Sequence, residues 1–231
     1  FEDGAKGALG VASACACAGM VVGVTTLTGF GLKIASGIVA LGGGKILPTL
    51  FFTMIASIIL GMGLPTTAKY IILAIMAAPA LIQLGVLPLA AHMFILYFGI
   101  IADLTPPVAV AAYAGAGIAG GNTMKTGFNA VKLAVAGFLI PYIFAINPAL
   151  MGIQGPALLT IRLMVTSLAG VLALGAAASG FLMVKTEPYE RILLFIVAIM
   201  LISPDLLTDI IGIFGLSLAL FLQYKKFKKL Q

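Results

Sequence analysis

The stretch ILPTLFFTMIASIILGMGLPTTAKYIILAIMAAPALIQLG, residues 46–85, decides the fold. Its one charge is Lys69. As a continuous helix it would run about 60 Å at 1.5 Å per residue, roughly twice the hydrocarbon thickness of a bilayer. Its middle reads Gly61-Met62-Gly63-Leu64-Pro65-Thr66-Thr67. Glycine is costly inside a helix, and proline removes a backbone donor and clashes with the preceding turn. The spacing therefore predicts two half-length helices, 47–60 and 68–84, joined by an unwound tip. Each arm is too short to cross alone, so the reading is a re-entrant hairpin with both ends on one side.

The rest of the chain agrees on the solvent. Of 231 residues, 62% are hydrophobic and 9% charged, with mean hydropathy +1.22; a soluble domain carries about a quarter charged residues. Residues 7–32, 70–102 and 133–161 hold no charge at all. The fold class is all-α, a polytopic membrane protein. The ten-residue apolar/polar alternation of a transmembrane β-barrel is nowhere visible. The net charge of +6 does not point to nucleic acid, because the basic residues sit at the ends of apolar runs instead of clustering with aromatics. Cys15 and Cys17 lie two apart, on different faces of a helix, which favours neither a disulfide nor a metal pair. Residues 7–32 are too long for a signal-peptide core. Residue 1 is Phe and the chain opens with Glu2, Asp3 and Lys6, so a piece of a longer polypeptide is expected.

Working outward, 7–32 spans once, and 33–45 reads as a glycine-rich connection ending in Gly42-Gly43-Gly44. Residues 87–121 repeat the theme of the hairpin. Two halves, 88–102 and 108–120, flank Asp103-Leu104-Thr105-Pro106-Pro107, where consecutive prolines cannot continue a helix. Together they make one interrupted transmembrane helix. Further spans follow over 126–148 and 156–184. Residues 191–224 hold two short apolar pieces separated by Ser203-Pro204-Asp205. With Lys6 inside and the hairpin entering from outside, Lys125, Lys132, Lys185, Arg191 and the four tail lysines (225, 226, 228, 229) also fall inside, provided the last two pieces return to the side where they begin. Lys33, Lys45 and Arg162 fall outside. This is the asymmetry of the positive-inside rule.

Irregular backbone at membrane depth is tolerated only in a protein interior or a watery cavity, and secondary transporters build binding sites from such breaks. Gly61, Gly63 and Pro65 free the backbone of the tip. The Thr66 and Thr67 hydroxyls are candidates to cap the next half-helix or to ligate sodium, a hard cation that prefers oxygen. Asp103, the only acidic residue between Asp3 and Glu187, is the candidate carboxylate of the second break, with Thr105 as its natural partner. It can bind a cation, relay a proton, pair with Lys69, or merely cap the following helix. Lys69 reads either as a counter-charge for Asp103 or a substrate carboxylate, or as a side chain snorkelling to an aqueous cavity. His92 stands alone and reads as a packing histidine. The hydroxyls and glycines of 23–29 suit close helix packing. No nucleophile–base pair, metal cluster, cofactor motif or phosphate loop appears, so neither an enzyme nor a resident metal is expected.

Residues 61–67, residues 92–98, Leu104-Thr105-Pro106-Pro107-Val108 with Ala112-Tyr113, and Gly117-Ile118-Ala119-Gly120 closely resemble the large membrane subunit of tripartite ATP-independent periplasmic (TRAP) transporters. The version is similar to the fused permeases that work with TAXI-type periplasmic binding proteins. The resemblance covers about 5–151, and 156–231 looks like their C-terminal extension. It implies a multi-pass transporter of a bacterial or archaeal inner membrane that takes up small organic acids on a sodium or proton gradient. It further implies an elevator-like movement, a binding protein that delivers substrate, a small membrane subunit and an N-terminal half of the permease. This chain would be one inverted repeat, residues 1–151, plus a membrane extension, 152–231. By the same likeness Gly61, Gly63, Pro65, Thr66, Thr67, Asp103, Thr105, Pro106 and Pro107 form half of an ion and substrate site. The competing expectation is a non-transporting membrane assembly subunit, in which the breaks only shape packing.

Overall fold

A computed structural model describes residues 1–153, 155–203 and 205–230. Among these residues the chain is helical, apart from an isolated bridge between Phe181 and Lys185. Five stretches are long and apolar enough to cross a bilayer: Glu2–Thr28, Thr66–Gln83, Thr123–Ile146, Ala157–Ser179 and Leu206–Lys228. Contacts divide the chain into two compact units, Phe1–Ala130 and Val131–Gln231.

In the first unit, α1 (Glu2–Thr28) meets α2 (Phe30–Leu41) at Gly29. The second helix occupies most of what the sequence reads as a loop. Its Gly31, Ala35 and Ile38 form a buried face at helical spacing, and Ile34, Val39, Phe52, Ala56 and Ala80 complete the cluster around it. Lys33, the residue that suggested a loop, points outward and is exposed. The true turn is shorter, with Gly43 and Gly44 at φ 60 and 67.

Two arms joined by an unwound tip form as the sequence implies, but the expectation that each arm is too short to cross alone fails for the second. The first arm is α3 (Ile46–Gly61), and the second is α4 (Thr66–Met76) continued by α5 (Ala78–Gln83). The expected single helix over 68–84 is interrupted at Ala77 because Pro79, in the first turn of α5, cannot donate into the ladder. By length and composition the second arm alone is enough to cross a bilayer; the first arm packs against both α4 and α5, so the two lie side by side. Thr49, Thr53, Ser57 and Gly61 recur every fourth residue as the buried stripe of α3, small enough to let neighbouring helices approach closely. The interrupted helix comprises α6 (Pro88–Ile101) and α7 (Val110–Ala119), and α8 (Thr123–Leu133) follows. Both α3 and α4 pack on α6, which brings the two breaks together.

In the second unit α9 (Val135–Ile146) leads through a short 3-10 turn to α10 (Ala157–Ser179), α11 (Pro188–Ile202) and α12 (Leu206–Leu230). The second of the two terminal pieces is therefore long enough to span, not short, because the helix continues through its lysine-rich end. Pro204 of the separator lies outside the described residues. Leu174, Leu194, Val197, Ala198 and Leu201 form the core of this unit. Arg162 at the start of α10 faces Asp209 at the start of α12, 3.4 Å away. At the other end Arg191 donates to the Ala177 carbonyl at 2.8 Å, and Lys226 lies 2.9 Å from Glu187 and from Glu190. Thus α11 runs antiparallel to both neighbours, and the pair α11–α12 ends beside its own start. That is the condition the count of basic residues required.

Candidate functional site

The two breaks line one cleft of about 380 Å3, walled by Gly63, Leu64, Pro65, Thr66, Asp103, Val110, Ala111 and Ala114. Met62 leaves the helical region (ψ 128) and Gly63 takes φ 72, a left-handed conformation that lets the chain reverse. Pro65 occupies the N-cap position of α4, and the helical ladder begins with the Lys69 amide donating to the Pro65 carbonyl at 2.9 Å. The expected threonine cap does not form: Thr66 and Thr67 stand one and two positions too far along, and no side chain caps this end. The first-turn amides of α4 consequently have no intrahelical acceptor, and they open beside the exposed Thr66 side chain.

Across the cleft, Asp103 sits where α6 has ended. Its carbonyl accepts from the Ala111 amide at 3.2 Å, which ties the start of α7 back to the break. Its carboxylate does not cap α7, whose N-cap is Ala109 without a side-chain bond. Both carboxylate oxygens instead lie 2.8 Å from Lys69 Nζ. The Lys69 side chain is 0% exposed and that of Asp103 is 32% exposed. Lysine therefore does not snorkel to water; it is sealed behind the carboxylate that faces the cleft. Removing one partner of a buried pair typically costs about 3–5 kcal/mol, and the partial exposure of Asp103 places this pair toward the lower end.

Not every residue singled out by sequence reaches the cleft. Gly63, Pro65, Thr66 and Asp103 line it, whereas Gly61, Thr67, Thr105, Pro106 and Pro107 do not. Gly61 is buried against α6: a Cβ there would stand 3.1 Å from Gly99 Cα and 3.2 Å from its carbonyl oxygen. Thr67 is exposed beside the tip. The Thr105 hydroxyl turns back to the Ile101 carbonyl at 2.8 Å, finishing α6 instead of meeting Asp103. The Pro106–Pro107 peptide is cis, and Pro106 packs against Gly127. His92 is half-buried with Nδ1 3.0 Å from the Tyr70 hydroxyl, in keeping with a packing role. In the 23–29 cluster, Thr25 and Thr28 donate to carbonyls of their own helix. Cys15 and Cys17 are both free.

Gly99 and the wall residues Val110, Ala111 and Ala114 are the participants that sequence reasoning passed over. A single glycine inside an apolar run carries no distinguishing signal, and the alanines signal only close packing.

A family model described as "Tripartite ATP-independent periplasmic transporter, DctM component" matches residues 1–155, and a second, "Domain of unknown function (DUF3394)", matches residues 160–212. No curated protein and no solved structure matches the chain. With the first match covering most of the chain, including both breaks, this protein belongs to the DctM component family of TRAP transporters, the multi-pass inner-membrane permeases that work with a small membrane subunit and a periplasmic binding protein.

Proposed function

We propose that the chain is the second-repeat half, residues 1–151, of a permease for small organic acids, followed by a membrane extension over 152–231. In this reading the cleft between the two breaks contributes half of the site for substrate and driving cation. The remainder comes from an N-terminal half of the permease, and a TAXI-type periplasmic binding protein delivers the substrate. One observation carries the reading: two helix interruptions, 38 residues apart between Pro65 and Asp103, open onto the same cleft. The uncapped amides at the start of α4 suit a carboxylate. The Thr66 hydroxyl and the freed carbonyls of the tip suit a hard cation such as sodium. Sodium is favoured over a proton because the candidate proton carrier, Asp103, already has both oxygens engaged by Lys69.

The test is uptake by the complete permease, reconstituted with its small subunit and binding protein, under sodium and pH gradients imposed separately. Uptake is expected to follow the sodium gradient, and Thr66→Ala with Thr67→Ala is expected to raise the sodium concentration needed for half-maximal uptake about tenfold or more, the loss of roughly one charge-assisted contact. An unchanged sodium dependence in that variant contradicts the assignment of the tip.

A further inference from the structure

Lys69 is among the largest fully buried side chains of the first unit, and among the described residues its charge is met by one residue, Asp103, from another element. Its position is prepared by two glycines. A Cβ on Gly99, in α6, would stand 3.2 Å from Lys69 Cδ and 3.3 Å from Cγ, and 2.8 Å from Leu73 Cδ1. A Cβ on Gly61, at the end of α3, would stand 3.4 Å from Lys69 Cδ. The lysine stem thus threads a gap between the last turn of the first arm and the last turn of α6, and its ammonium meets the carboxylate of the second break. Asp103 in turn holds the start of α7 through its carbonyl.

The geometry points to a clamp. We infer that the Lys69–Asp103 pair locks the hairpin tip and the break of the interrupted helix into one rigid half-site, and that both are positioning residues, not ligands of the transported species. A chain of contacts runs from α3 through Lys69 to Asp103 and α7, so neither break can shift without parting two charges that water does not reach on the lysine side. A substrate carboxylate has no path to the ammonium, which is shielded by Asp103 and 0% exposed. The pair is also electrically balanced, leaving the cleft to select its occupants with neutral backbone and hydroxyl groups. This inference rests on the cleft being the transport site, but its physical core, the coupling of two charges, can be read independently.

The experiment is a double-substitution cycle in the complete permease with its partner proteins: Lys69→Met, Asp103→Asn, and both together. Each single variant strands a charge, and its melting midpoint in detergent is expected to drop by on the order of 5 °C, with maximal uptake rate reduced at least about tenfold. The double variant removes the stranded charge. Its midpoint is expected to return most of the way, and its maximal rate to recover at least about threefold over either single variant, with the half-saturating sodium and substrate concentrations changing less than the rate. Single variants that transport normally overturn the clamp. So does a double variant that is folded but inactive, which would mean that a charge at 69 or 103 acts directly, or a double variant that fails to fold. If the midpoints show the coupling while uptake is indifferent to Thr66 and Thr67, the clamp stands and the assignment of the cleft is what fails.

Discussion

Gly61 and Gly63 stand at the same turn and are glycine for different reasons. Gly61 is held by its neighbour, since a methyl group there would press on the backbone of Gly99 at 3.1 Å, and backbone cannot yield as a side chain does. Gly63 has open space around it but adopts φ 72, which costs an ordinary L-residue about 1–2 kcal/mol. Gly61→Ala is expected to destabilise by about 1–3 kcal/mol, and Gly61→Asn by at least as much. At Gly63 alanine should cost about 1 kcal/mol and asparagine less, because asparagine tolerates the left-handed region. Melting midpoints of the four variants check this opposite ordering; asparagine no better than alanine at position 63 would show that the turn is not held in that conformation. Both glycines were legible in the sequence because they stand four and two residues before a proline within an overlong apolar run. Gly99 was not. The pairing of Lys69 with Asp103 was one of several readings the sequence offered, and it holds in the structure; the sequence could not select it, since residues 34 apart meet only after the hairpin and α6 have packed.

Among the elements, the breaks were legible and the joints between helices were less so. A Gly/Pro cluster announces an interruption in any context, and both interruptions fall within a few residues of their expected positions. The helix α2 was hidden because glycine and lysine read as loop unless the buried face at 31, 35 and 38 has a partner to cover it. The length of α12 was hidden for a related reason: its lysines look like a terminus but continue the helix and close a polar cluster. There Glu190 accepts from the Glu187 amide at 2.8 Å and from Gln223 Nε2 at 2.9 Å, and Lys226 lies beside it. Burial by itself raises the Glu190 carboxyl, but the backbone bond from Glu187, Lys226 and Gln223 outweigh it and hold the group below its ordinary value of 4.5. A carboxyl lowered in the folded state contributes stability that is fully present above the ordinary value and lost as pH falls through the lowered one. The melting midpoint is therefore expected to fall below about pH 4.5 more steeply in the unaltered protein than in Glu190→Gln, which starts lower at neutral pH. Parallel curves for the two proteins would remove Glu190 from the pH response.

At the scale of the whole molecule, the outward surface only makes sense in lipid. Leu27, Leu158, Leu172 and Phe214 are each well over half exposed, which in water would constitute large apolar patches. Against that background the cleft between residues 63–66 and 103–114 is an anomaly: freed backbone, a hydroxyl and a carboxylate set inside stretches that otherwise carry almost no polarity. The family assignment says that the protein is a permease; that transport is served at this cleft is the proposal to be tested. Thiol accessibility tests that claim most directly. In the complete permease with Cys15 and Cys17 replaced by alanine, single cysteines at Thr66, Ala114 and Leu172, an exposed apolar residue in the middle of the α10 span, would be exposed to a charged, membrane-impermeant methanethiosulfonate reagent in vesicles of both orientations. We expect Thr66→Cys and Ala114→Cys to react from at least one side, to lose uptake on reaction and to be protected by substrate, while Leu172→Cys stays unreactive. If positions 66 and 114 are as inert as 172 in a protein that still transports, the two breaks do not meet water and the account is wrong.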